Sequence, residues 1–146
     1  MTLTSALKVK NRLIGQLNKV RSDLHAHNST CKDREIDIQA LWEEEIDTRN
    51  KLIELKSKIS KETAKISDKL VSLAEHKSYL QFLNGLSCKT GEDVSVVCYG
   101  SSATKTENWS SFISETTRRQ LIKETDEQIA WLQDGIDGFN ATTVIA

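Results

Sequence analysis

The sequence predicts a mainly α fold: a long antiparallel helical hairpin of coiled-coil type, a small β-hairpin or ordered loop near 88–107, and a C-terminal helix. Three observations lead there. Apolar residues recur in steps of three and four along most of the chain, the period of one helix face. None of the 146 residues is proline, where average usage would supply about seven, and proline is the residue that breaks helix interiors. The one stretch without the helical period, 86–108, carries the β-prone run Val94-Ser95-Val96-Val97-Cys98-Tyr99 between two turn signals, Thr90-Gly91 and Gly100-Ser101-Ser102. At this length one domain, 1–146, is expected, with no room for a second core of ordinary size.

The first helix is expected over about 4–27. Leu3, Ala6, Lys10, Leu13, Leu17, Val20 and Leu24 fall at alternating steps of three and four, a heptad seam with one lysine at a core-type position. Gly15 lies inside this helix and costs it about 1 kcal/mol against alanine. Asn28-Ser29-Thr30 supplies a polar break.

The second helix is expected over about 33–62, its stripe made by Ile38, Leu41, Trp42 and Ile46 and continued by Leu52, Leu55 and Ile59. From Ser57 to Lys69 the chain is polar but holds no helix breaker. The seam then resumes as Ile66, Leu70, Leu73 and Leu80, offset by one residue. Such an offset fits a stutter in one helix, or a hinge with Ser67 capping a third helix over 67–84; the hinge is preferred. Gly85 is expected to close that helix as a left-handed C′ residue.

A last helix is expected over 109–139, with Ile122, Ile129, Leu132, Ile136 and Phe139 on one face. The tail 140–146 is β-branched and reads as extended, adding to the hairpin or to a neighbouring subunit.

Charge is blocked along the chain. Lys8, Lys10, Arg12, Lys19 and Arg21 meet no acid before Asp23, whereas Asp33 to Asp47 holds acids against Arg34 alone. Folded back antiparallel, the basic helix meets the acidic one along its flanks, and flanking charges select partner and orientation. Phosphate binding by the basic helix is the competing reading. One unbroken helix from Asp33 to Asn84 would be about 78 Å long, against a radius of gyration near 15 Å for a compact domain of this size. Stripes of that length are expected to close on further copies of the chain, most simply about a dyad.

Composition excludes several functions. A formal net charge of −1 does not suit a general nucleic-acid binder, which needs surplus positive charge. No run of about 18 apolar residues suggests a membrane span, and the first residues lack a signal-peptide pattern. Cys31, Cys88 and Cys98 suit a reducing cytoplasm as free thiols, with a Cys88–Cys98 disulfide as the alternative. His25, His27 and Cys31 do not make a metal site, because helical residues two apart face different ways and zinc needs four ligands. No nucleophile, base and acid stand in a recognisable pattern, so no enzyme, cofactor or catalytic residue is expected.

One grouping suggests a ligand. Tyr99, the turn with Ser101 and Ser102, Lys105 and Trp109 precede Arg118 and Arg119 on the last helix. Aromatic faces stack on a base, and guanidinium forks bind phosphate in pairs of hydrogen bonds. The competing reading makes Trp109 an anchor of the helix start and pairs the arginines with helix acids. Since adjacent helical residues lie about 100° apart, only one arginine is expected to face the loop.

The layout resembles a poorly characterised family of small helical proteins from bacteria and their phages, some of which carry the name septicolysin. The likeness rests on the opening Leu3-x-x-Ala6-Leu7, the helical hairpin, the β-prone loop from Tyr99 to Lys105, and the closing Ile136-Asp137-x-x-Asn140-x-Thr142-Thr143. It implies a homo-oligomeric helical assembly, with a hexamer as one expected form; it supplies no catalytic residues. The toxin-like name does not transfer, since no membrane-inserting stretch is present. The function expected is a cytoplasmic, non-enzymatic homo-oligomeric binding protein that holds a small anionic, nucleotide-like ligand between subunits. A phage protein sequestering a host immune signal in the bacterial cytoplasm is one instance. The alternative is a coiled-coil adaptor or structural protein whose product is a protein–protein contact.

Overall fold

The computed structural model describes residues 1–97, 100 and 102–146. Its elements are α1 (Leu3–His27), α2 (Ile38–Thr63), a 3₁₀ turn (Ala64–Ile66), α3 (Ser67–Gly85), β1 (Gly91–Val96), β2 (Thr104–Trp109) and α4 (Glu115–Thr142). The fold is mainly helical, with one small antiparallel sheet and a C-terminal helix. The one domain expected from length divides into two compact units, residues 1–68 with 135–146, and residues 69–134. No helix among the described residues is long and apolar enough to cross a membrane.

In the first unit α1 and α2 form the antiparallel hairpin. Leu3 and Ala6, near the start of α1, cluster with Leu55 and Ile59 near the end of α2. Further along, Gln16 donates to Glu44 and Arg21 to Glu45, both at 2.8 Å. The basic helix therefore does pair with the acidic one. Thr2 caps α1, its hydroxyl accepting from the Ser5 amide.

The seam of α2 differs from the one expected. Its inward positions are Leu41, Glu45, Thr48, Leu52, Leu55 and Ile59, in steps of four and three, with Glu45 and Thr48 buried. Trp42 lies outside that seam and is exposed. α2 also starts at Ile38 rather than Asp33, because Asp37 caps it by accepting from the Ala40 amide. The residues before it are held as a loop, with Arg34 donating to the His27 and Asn28 carbonyls that α1 leaves open.

Neither a stutter nor a capped hinge joins α2 to α3. One 3₁₀ turn takes up the register offset, and Ser67 keeps helical angles (φ −58°, ψ −37°) instead of acting as an N-cap. At the far end of the chain α4 continues through Thr142, three residues beyond the expected limit. The tail does not join the hairpin: Val144 bridges to Thr2, the Leu3 amide donates to the Thr143 carbonyl, and the Ile145 amide donates to the Met1 carbonyl. Ile145 is thereby buried in the Leu3 cluster, with Phe139 packed against it.

In the second unit α3 buries Leu73 and Leu83. β1 and β2 pair with Gly91 opposite Trp109 and Val96 opposite Thr104. Gly91 and Gly100 have φ of 94° and 82°, a region that costs an L side chain strain and a glycine almost nothing. Gly85 is not left-handed, contrary to expectation; the positive-φ glycines among the described residues are those two. α4 begins at Glu115 rather than 109, since Thr104–Trp109 belongs to β2 and the Ser114 hydroxyl caps the helix at the Thr117 amide.

Candidate functional site

The expected ligand residues fall around the hairpin and the first turn of α4. Tyr99 and Ser101 lie outside the described residues, as does Cys98. Ser102 is exposed in the turn before β2. Lys105 is exposed and forms an ion pair with Glu107 at 2.6 Å. Alternation along the strands puts Lys105, Glu107, Trp109 and Asp93 on one face of the hairpin. On that face Lys89 pairs with Asp93 and sits 4.5 Å from the centre of the Trp109 ring. One indole face is thus already stacked on a cation. Val94 and Val96 occupy the other face and are exposed.

The two arginines divide as the helix period requires, and each has a partner on its own helix. Arg118 grips Glu115 through Nε and Nη2, both at 2.9 Å, and its Nη1 donates to the Leu83 carbonyl at 3.1 Å. It closes the end of α3, the work expected of a left-handed Gly85. Arg119 donates to Glu115 at 3.0 Å and is otherwise largely exposed. The Arg118 hydrogen bond, with that of Arg119 behind it, lowers the Glu115 pKa to about 2. Trp109 sits in β2, not at the start of a helix. Of the expected phosphate partners, Arg119 is the one with donors to spare.

What the sequence reading missed is on the helix surfaces. All three tryptophans are exposed, Trp131 to 64%. On α3, Val71 and Phe82 are three turns apart and Tyr79 stacks on Phe82, ring centres 6.2 Å apart; all three are exposed. Phe112, just before α4, is completely exposed. Among the described residues thirteen apolar side chains are buried and fifteen large ones exposed, so the chain leaves outside more large apolar groups than it encloses. The signal was present for Val71, Tyr79, Phe82, Phe112 and Trp131, which sit off the seam positions that were counted, whereas Trp42 was counted on the stripe.

The first unit also carries cavities. The one at the start of α1, about 570 Å³, is lined by Arg12, Leu13, Thr48, Lys51, Leu55 and Lys58 among others. Both lysines there are paired, with Asp47 and Glu54. No group of three metal-ligating side chains occurs among the described residues, and Cys31 and Cys88 are free thiols. No family model matches the chain, and neither a curated protein nor a solved structure is detectably similar to it.

Proposed function

We propose that the chain acts by binding rather than catalysis, as a cytoplasmic homo-oligomer that holds a small anionic ligand. The observation that carries this reading is the excess of exposed over buried large apolar side chains, headed by Trp131, Phe82 and Val71. Large apolar side chains left in water cost free energy, and where they adjoin, as Tyr79 and Phe82 do, a partner normally covers them. Tryptophan and tyrosine are the residues that dominate such contacts. A second copy of the same chain is the partner always present, and a dyad lets one patch cover itself. The ligand part rests on Arg119 and on Arg12, exposed guanidinium groups suited to phosphate or carboxylate. A nucleotide taken out of circulation by such an assembly is the concrete instance.

Light scattering separates the oligomer from the monomer. Thermal shift against a nucleotide panel tests the ligand, since a ligand at 100 times its Kd stabilises by about 2.7 kcal/mol. An oligomer that no nucleotide stabilises, and that retains a protein partner in pull-downs, would be an adaptor instead.

A further inference from the structure

The aromatic-plus-guanidinium arrangement expected around Trp109 is realised elsewhere, at the loop end of the α1–α2 hairpin. A cavity of about 510 Å³ there is lined by Arg21, Leu24, His25, Asn28, Ser29, Trp42 and Glu45. That volume lies within the roughly 300–1,000 Å³ of small-molecule sites.

Its construction follows from the seam. Glu45 takes an inward position of α2 and is 7% exposed. Its Oε1 accepts from Arg21 Nε and Nη2 at 3.1 and 2.8 Å, and its Oε2 accepts from Arg49 Nε at 3.3 Å. One carboxylate is thus shared by two guanidinium groups, and the cluster keeps a net positive charge. The Arg21 bond is the main reason the Glu45 carboxyl titrates below its ordinary range, so the carboxylate stays ionised at neutral pH. Two bonds to one oxygen fix the plane of the Arg21 guanidinium and leave Nη1 for a further acceptor. Next to the seam position Leu41, Trp42 is 55% exposed, and among the described residues no ring or cation is stacked on it. Trp109, by contrast, carries Lys89.

A helix C-terminus would ordinarily repel an anion. Here the last carbonyls of α1 are covered, because Arg34 donates to His27 and Asn28 at 2.6 and 2.8 Å. The site therefore combines an open indole face, an oriented guanidinium edge, an imidazole and the polar Asn28 and Ser29. The cavity lined by Arg12 lacks any aromatic side chain and offsets its lysines with acids.

We infer that this cavity is a nucleotide site, with the base stacked on Trp42 and the phosphate held by Arg21 and His25. The inference rests on the ligand part of the proposed function and gives that ligand a place and a chemical class. A base supplies the flat face that an indole takes, and a phosphate supplies the paired acceptors that a guanidinium edge takes.

The test is calorimetric titration of the full chain with AMP, GMP, CMP and UMP, each compared with its nucleoside and with inorganic phosphate. At least one monophosphate should bind, ten or more times tighter than the nucleoside or phosphate alone. Trp42→Ala should weaken it roughly fivefold to a hundredfold, the usual loss when the aromatic platform under one base is removed. His25→Ala should weaken the monophosphate and leave nucleoside binding unchanged. Melting temperature and mass should not move in either variant, since both side chains are exposed and make no hydrogen bond or ion pair among the described residues. Arg21→Gln is the more severe variant, because Glu45 would keep only Arg49, and its melting is measured alongside. Binding of no monophosphate overturns the inference. Binding that Trp42→Ala leaves intact overturns the site while the proposed function stands. A fall in mass with Trp42→Ala makes this surface a subunit contact and overturns it equally.

Discussion

Leu55 and Ile53 stand two residues apart on α2, and replacing each by alanine should have sharply different consequences. Leu55 is 8% exposed and belongs to the cluster with Leu3, Ala6, Ile59 and Ile145. Truncating it removes the transfer free energy of three carbons and leaves a cavity that its neighbours fill only in part. Such changes cost about 2–5 kcal/mol. Ile53 is 58% exposed, so less than half of the roughly 1.5–3 kcal/mol of a fully buried side chain is at stake. Alanine is also the better helix former by a few tenths of a kcal/mol. The expected net loss is about 1 kcal/mol or less. Urea denaturation followed by circular dichroism reads both, with midpoints compared at unchanged slope. Equal losses would refute the assignment of the two helix faces. A loss at Ile53 that grows with protein concentration would mean that another copy covers it.

Gly15 lies inside α1 with nothing within 4 Å of the position a Cβ would take, so Gly15→Ala should raise stability by up to about 1 kcal/mol, read as a higher melting temperature. Glu115 has a folded pKa near 2 against an ordinary 4.5; its contribution is complete above pH 4.5 and is lost as pH falls toward 2. Glu115→Gln should therefore flatten the fall in melting temperature across that window, and an unchanged slope would show that other carboxylates carry it. Arg118→Gln should lower the melting temperature by uncovering the end of α3, while Arg119→Gln should leave it within experimental error. Equal effects would contradict the division of labour between them.

The fold was legible where residue type and position agree. Leu3, Leu17, Leu52, Leu55, Ile59, Leu132 and Ile136 were placed on seams by spacing, and all are buried. The blocked charges gave the pairing of α1 with α2, later visible as Arg21 on Glu45. Legibility failed where a polar residue holds a seam position. Glu45 and Thr48 are buried on the inward face of α2, and a carboxylate is tolerable there only because two arginines neutralise it. Reading Trp42 into the stripe was the direct result, because an apolar residue beside an acidic run looks like the inward one. The end of α3 failed for another reason. Gly85 sits where a C′ glycine belongs, but Arg118, distant in sequence, supplies the cap. Long-range capping leaves no local signal. The same holds for the tail, whose β-branched residues were read correctly as extended from Thr143 onward but whose partner, Thr2, lies at the other end of the chain. Of the proposed ligand residues, Arg118 and Arg119 both pair with Glu115, as the competing reading with helix acids had it, and differ in exposure as adjacent helical residues do.

Self-association is the claim on which the rest depends, and mass in solution tests it most directly. Light scattering at micromolar concentration should give at least twice the 16.4 kDa of one chain. Trp131→Glu or Phe82→Glu should lower that mass while helical content is retained, because both side chains are exposed in the single chain and surface substitutions there cost its fold little. A mass of 16.4 kDa at every concentration, unaffected by either substitution, would show that the exposed apolar faces stay in water and would contradict the account.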